Sequence, residues 1–256
     1  MNVVVLVKYV PNPQGTPQLG PDDRLVREGV EGALDPADEY GLEAALQIVQ
    51  AGGGGEVTVV SMGPDVALAA VQRALAMGAG RGVLVTDPVL RGADALVTAR
   101  VLAAAIGRSP FDLVISSVES TDGYTGTLSA TVAELLGLPS VTFARKIEVE
   151  AGAVRAERQT ETGYDVVTCP LPAVVSVTSG ATDPRYPSLK GIMSAKQKPV
   201  EKLTAADLGL SEDDLVPSQS VATVTDMPSK AAGEVIQAGP DTAARIADLL
   251  AEAKVI

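Results

Sequence analysis

The residues best equipped for chemistry crowd into Val118–Thr127, where Glu119, Ser120, Thr121, Asp122, Thr125 and Thr127 surround Gly123 and Gly126. Ahead of this stretch, Asp112–Ser117 reads as a short apolar strand suited to burial on both faces of a parallel sheet. Behind it, Leu128, Val132, Leu135 and Leu136 recur at i, i+4, i+7 and i+8, one face of a helix. Gly137 ends that helix by offering a left-handed residue, and Pro139 keeps it from resuming. A strand that runs through a small-residue loop into a helix aims free backbone N–H groups and the positive end of a helix dipole at one spot. An anion such as phosphate is the natural occupant. The glycines would let the backbone come close, and the hydroxyls of Thr125, Thr127 and Ser129 would add hydrogen bonds. The same residues also suit the turn and cap that any strand–loop–helix unit requires, and neither GxxxxGK[ST] nor GxGxxG is present.

Other reactive residues point to less. Glu119 and Asp122 are spaced for paired acid–base work or for capping a turn. Cys169 reads as a strand residue with no base in view to activate it. The chain has no histidine, so the usual general base near neutral pH is missing. One cysteine and no histidine leave no zinc or iron–sulfur set. A net charge of −12 argues against nucleic acid or an anionic membrane as the main partner. These totals describe a binding protein or a subunit more than a self-sufficient catalyst.

The elements that must position the loop alternate along the chain. Asn2–Val10 is an apolar strand broken only by Lys8, and residues 11–33 form a long loop with a short hairpin around Arg24–Arg27. A helix follows with Asp35 as N-cap, Pro36 at N1 and Asp38 at N3 in a box-like arrangement; Leu42, Ala45, Leu46 and Val49 form its buried stripe, and Gly52–Gly55 end it. Glu56–Ser61 is a strand, Met62-Gly63-Pro64 a turn, and Leu68, Val71 and Leu75 mark a helix closed by Gly78. Arg81–Thr86 is a further strand, and a helix runs from about Ala93 to Ile106. This alternation predicts an α/β fold, a doubly wound, mostly parallel sheet of Rossmann-like type. Ligands of such sheets sit beyond the carboxyl ends of the strands at the switch point. Leu6–Tyr9, Met62–Gly63, Glu119–Thr127 and the Asp35–Asp38 cap are therefore expected to line one crevice.

Beyond Pro139 the texture changes. Residues 141–150, 153–161, 164–169 and 172–179 are β-rich and read as antiparallel pieces that extend the sheet. A basic, Pro-punctuated segment then spans residues 181–203 of an otherwise acidic protein. From about Leu203 come a weak helix, an acidic Ser/Pro/Thr-rich stretch and a last helix near Asp241–Ala253, a tail with little core of its own. The apolar fraction is 46%, with no Trp and two Phe, so the core must be aliphatic. No apolar run approaches the roughly 18 residues of a membrane span. The absence of an export signal and the single cysteine lead to a cytoplasmic expectation.

Taken in order, several segments resemble the beta subunit of electron-transfer flavoproteins. They are VLVKYVP, DP-x-DE with LEAAL, the MGP turn, ALAMGAGRGVLV, ESTDGYTG-x8-LGLP, AERQTETGYDVVTCPLPAVVSV and DPRYPSLKGIMSAK. The resemblance covers nearly the whole chain and implies a heterodimer without catalysis of its own. In that family an alpha subunit carries the redox FAD, and the beta subunit binds AMP. The complex takes electrons from flavin-dependent dehydrogenases and passes them to a quinone reductase-type acceptor. It further implies a nucleotide-binding domain over residues 1–183, a partner-recognition loop over 184–200 and a C-terminal arm over 201–256 that wraps the alpha subunit.

Carried over by position, the AMP site comprises Leu6, Asp35, Pro36, Ala37, Met62, Asp122, Gly123, Thr125, Gly126, Thr127, Leu128 and Ser129. The phosphate is expected on the backbone of Gly126–Ser129. The recognition loop presents Tyr186, Leu189, Ile192, Met193 and Lys196, with Leu189 as anchor and Lys190, Lys196 and Lys198 guiding an acidic partner. Electron-bifurcating relatives hold a second FAD in place of AMP and resemble ADTxAT and DGDT at two positions. This chain keeps Asp94 and Thr98 but has Ala95 and Tyr124 where those patterns have Thr and Asp. Gln159 stands where relatives commonly carry a carboxylate, and Ala37 replaces an aromatic found in some members. A nucleotide-hydrolysing or stress-type protein on the same fold is the remaining alternative.

Overall fold

The computed structural model describes every residue except 226, 228–232 and 234, so the acidic stretch of the tail is described in part. The chain forms two compact units, residues 1–222 and 223–256.

In the first unit, nine strands among the described residues make one sheet. Five parallel strands form its inner part: β1 (Asn2–Leu6), β4 (Glu56–Met62), β5 (Arg81–Val85), β6 (Leu113–Ser117) and β10 (Ala173–Val177). β11 (Val200–Leu203) lies parallel to β5 on one edge. Toward the other edge come β7 (Ser140–Glu150), β8 (Ala153–Gln159) and β9 (Tyr164–Pro170). The spatial order is β11-β5-β4-β1-β6-β10-β7-β8-β9.

Strand alternation delivers the two cores. Val3, Val5, Val57, Val59, Leu113 and Ile115 face helices α1 (Pro36–Ala51) and α2 (Leu68–Met77), where Leu42, Leu46, Val71 and Leu75 meet them. Val4, Leu6, Val60, Val83, Val85 and Val114 face the other way, toward α3 (Ala95–Ile106) and α4 (Leu128–Leu136). Each inner strand is thus buried on both faces, as a parallel sheet with helices on both sides demands. The chain winds outward through β1, β4 and β5, then crosses back to place β6 on the far side of β1. The switch point falls between β1 and β6.

Several sequence expectations are corrected. The first strand ends at Leu6, because the α1 N-terminus holds the Lys8 backbone from both sides. Lys8 N–H donates to Asp38 Oδ2 (2.8 Å), and Asp35 N–H donates to the Lys8 carbonyl (2.9 Å). The chain turns there into β2 (Tyr9–Pro11), which pairs antiparallel with β3 (Gly32–Leu34). With the Asp35 N–H directed to Lys8, Asp38 closes no capping box.

In α4, Val132 is buried and Leu128 and Leu136 pack against the core as expected, but Leu135 is 43% exposed, and Ser129 and Ala133 are buried in its place. Of the four β-rich pieces expected to be antiparallel, β7, β8 and β9 pair that way. β10 inserts between β6 and β7 and runs parallel to both, with AVVSV buried at all five positions. Cys169 is buried on β9 opposite Val154, and burial pushes its thiol pKa up.

The basic segment contains a short helix, α5 (Leu189–Ala195), where a loop was expected. After β11 the chain makes 3-10 turns at Ala206–Leu208 and Asp213–Leu215 in place of the expected weak helix. The second unit contains α6 (Thr242–Glu252). No described helix is long and apolar enough to cross a membrane.

Candidate functional site

The carboxyl ends of β1 and β6 meet the α1 N-terminus. Asp35 caps α1, its Oδ1 accepting from Ala37 N–H (2.9 Å). Its Oδ2 accepts from both the N–H (2.7 Å) and the hydroxyl (3.1 Å) of Thr121. Asp38 Oδ1 accepts from the Ser117 hydroxyl at 2.5 Å. One helix end thereby fixes the exit of β1 and the loop after β6 together.

That loop has a second anchor. Asp122 lies beneath two half-exposed cations, Lys8 Nζ at 2.6 Å and Arg27 Nε at 2.7 Å, with its own side chain 4% exposed. Lys8 Nζ also donates to Ser120 Oγ (3.2 Å). Burial alone would raise the Asp122 pKa; the Lys8 charge and hydrogen bond, then Arg27, outweigh it and hold the carboxyl below the usual range. For Asp38 the balance is reversed. Burial first, then the charge of Asp35, raises its pKa to about 7.

The loop enters α4 without a side-chain cap, since Thr127 makes no capping hydrogen bond. Gly126 adopts φ +64°, a left-handed conformation natural to glycine, and a Cβ there would come 3.5 Å from the Glu119 carboxylate. The Ser129 hydroxyl turns inward to Ser116 Oγ (2.7 Å), so Ser129 can offer the crevice only its backbone. Gly123, Thr125 and Thr127 are exposed and Leu128 is half-buried. Leu6 is buried at the tip of β1, Met62 is half-buried at the tip of β4, Pro36 is exposed and Ala37 half-buried. The uncapped N–H groups and the glycine cradle fit a phosphate at Gly126–Ser129. Asp35 and Asp122 are consumed by contacts within the chain and act as organisers of the loop.

Sequence reasoning missed Arg27 and Ser117, and it put Lys8 and Thr121 on the crevice without their hydrogen-bond partners. Lys8 carried a signal, as the one charge inside the first apolar run. Arg27 carried none, because its partner lies 95 positions away.

Asp94, kept with Thr98 from the bifurcating pattern, caps α3 through Val97 N–H (2.8 Å). Its second oxygen accepts from the Ser218 N–H (2.7 Å) and hydroxyl (2.8 Å) and from Gln219 N–H (3.1 Å). A separate hollow of about 210 Å³ lies at the opposite, amino end of the strands, where Arg81 and Arg108 both pair with Glu201.

Beyond α1, the basic segment presents an apolar cluster. Tyr186 is 89%, Leu189 82% and Met193 76% exposed, with Ile192 beside them. The cluster stands on a firm base. Arg185 donates to Glu43 of α1 from Nε (2.7 Å), Nη2 (2.9 Å) and its backbone N–H (3.2 Å), and Thr182 donates to the Tyr40 carbonyl (3.0 Å). Gly191 packs against the Ala76 carbonyl of α2, where a Cβ would collide. Lys190 and Lys196 are exposed, but Lys198 is not available to guide a partner. Its ammonium caps α2 through the carbonyls of Leu75 (2.8 Å) and Ala79 (2.6 Å), and burial lowers its pKa.

A doubly wound, mostly parallel sheet flanked by helices places the chain in the Rossmann-like class of α/β proteins. Residues 23–208 match the model of the electron transfer flavoprotein domain. The electron transfer flavoprotein subunit beta of Mycobacterium tuberculosis is 39% identical across the whole of this chain and 99% of its own length. The Mycobacterium leprae protein of that name is 40% identical over the same shares, and that of Thermoanaerobacterium thermosaccharolyticum 39% over 92% of each. The chain belongs to the electron transfer flavoprotein beta-subunit family.

Proposed function

We propose that the chain is the nucleotide-binding, partner-docking half of a heterodimeric electron carrier, and that it holds AMP while an alpha subunit carries the redox FAD. The observation that carries the AMP reading is the uncapped α4 N-terminus behind Gly126, positioned at the switch point by Asp35, Asp38, Lys8 and Asp122. The backbone of Gly126–Ser129 would hold the phosphate, with Leu6, Met62, Pro36 and Ala37 around the remainder. AMP supplies no redox chemistry; its role is to fill the crevice and stabilise the fold by mass action. The two acidic residues shared with the bifurcating patterns, Asp94 and Asp122, have both oxygens engaged inside the chain, which favours AMP over a second FAD.

The exposed Tyr186, Leu189, Ile192 and Met193 on their braced base, flanked by Lys190 and Lys196, would dock acidic-rimmed flavin-dependent dehydrogenases, and a quinone reductase-type acceptor would take the electrons. Residues of the C-terminal arm would cover the alpha subunit. Gly126→Val tests the nucleotide site in the complex with the alpha subunit. Valine is strained at φ +64° and would crowd the cradle. Bound AMP should fall at least about tenfold while FAD content is unchanged. Wild-type AMP retention in this variant would place the nucleotide elsewhere.

A further inference from the structure

The connection between β2 and β3, residues 12–31, spreads over the carboxyl end of the sheet. Its base is closed by Asn12 N–H donating to the Glu31 carbonyl (3.0 Å), and its tip folds on itself through the Leu19–Leu25 bridge and Val26 N–H to the Gln18 carbonyl (2.8 Å). Between base and tip it is anchored on two sides. Arg27 binds Asp122 in the loop after β6. Glu28 pairs with Arg91 (3.3 Å) in the connection after β5, and the Arg24 guanidinium lies against Gly92, where a Cβ would collide with it.

In the sheet, β5 and β6 are separated by β4 and β1, so at a spacing of about 4.8 Å the two anchoring strands stand roughly 14 Å apart. A segment fastened beyond both strands spans the ends of β4 and β1, where Met62 and Leu6 lie. Long irregular connections in compact folds are uncommon unless they serve a function.

We propose that residues 12–31 form a strap across the mouth of the nucleotide crevice, latched by Arg27 to Asp122, and that the latch sets how fast bound nucleotide escapes. The inference rests on the AMP reading above. The two anchors are unequal. The Glu28 and Arg91 side chains are 78% and 77% exposed, a pair that water and salt largely screen. Asp122 is buried and belongs to the phosphate loop itself, so Arg27 couples the strap directly to the site. Arg27 contacts Asp122 through Nε alone, and Lys8 stays on the carboxylate when Arg27 leaves. The strap can therefore open without leaving a bare buried charge.

The test uses the complex with the alpha subunit, loaded with radiolabelled AMP and chased with excess unlabelled AMP. Arg27→Gln should speed release about tenfold, Arg27→Lys should restore slow release in part, and Glu28→Gln should stay within about twofold of wild type. Raising salt should accelerate release from the wild type and leave Arg27→Gln nearly unaffected. A wild-type release rate in Arg27→Gln, or salt-independent release from the wild type, would overturn the strap. A wild-type complex that takes up no AMP at all would overturn the nucleotide reading and the strap with it.

Discussion

Asp38 shows how much chemistry one buried carboxylate can carry. Its two oxygens accept from Lys8 N–H and Ser117 Oγ, yet the single Ser117 hydrogen has a second acceptor within reach, the Glu119 carbonyl at 3.2 Å. A protonated Asp38 can donate to Ser117 while Ser117 donates to Glu119, so the neutral form fits the same geometry. Folding raises the pKa from 3.8 to about 7, so between those values the folded state binds more protons than the unfolded one. The Asp38 contribution is therefore fully present below the unfolded pKa and is lost as pH rises to about 7, by linkage on the order of 4 kcal/mol. Asp38→Asn can make the same contacts, its oxygen facing Lys8 N–H and its amide facing Ser117. Its stability relative to wild type should thus rise between pH 5 and pH 8, as urea unfolding at several pH values would show. A pH-independent difference would mean that Asp38 stays ionised throughout. At this scale the sequence told half the story. Asp35 and Pro36 announced the cap because capping is local, whereas the partners of Asp38 and Asp122 come from distant strands and loops and leave no local mark.

Among the elements, α1 links the two candidate surfaces. Its N-terminus organises the crevice, and Glu43 grips Arg185 at the root of the α5 segment. The two ends of that segment make different demands. Leu189→Ala removes a side chain that is 82% exposed, so thermal stability should hold while electron transfer from a partner dehydrogenase weakens about tenfold or more. Glu43→Gln should weaken the same transfer several-fold by releasing the base of the segment, with AMP content intact. Steady-state kinetics with a purified dehydrogenase would check both, and unchanged rates in the two variants would remove α5 from docking. Here the sequence revealed more. The helices and inner strands follow from apolar periodicity and their Gly and Pro boundaries. The direction of β10 does not, because AVVSV reads alike in a parallel or an antiparallel slot, and its neighbours are fixed only when the chain folds back between β6 and β7. Lys198 looked like a surface charge beside Lys196, and only the α2 carbonyls beneath it reveal a cap.

For the whole molecule, the doubly wound sheet, its switch point and family membership are legible in the order of motifs, since α/β alternation and crossover handedness leave few topologies open. What remained hidden was how the crevice is held together, because that depends on a connection, residues 12–31, whose anchors lie near residues 91 and 122. The central claim is that this fold keeps one AMP beside an FAD-bearing partner. It is tested most directly by purifying the chain with the alpha subunit, denaturing the complex and identifying and counting the released nucleotides. One AMP and one FAD per pair of subunits is the expected result; two FAD and no AMP would contradict it.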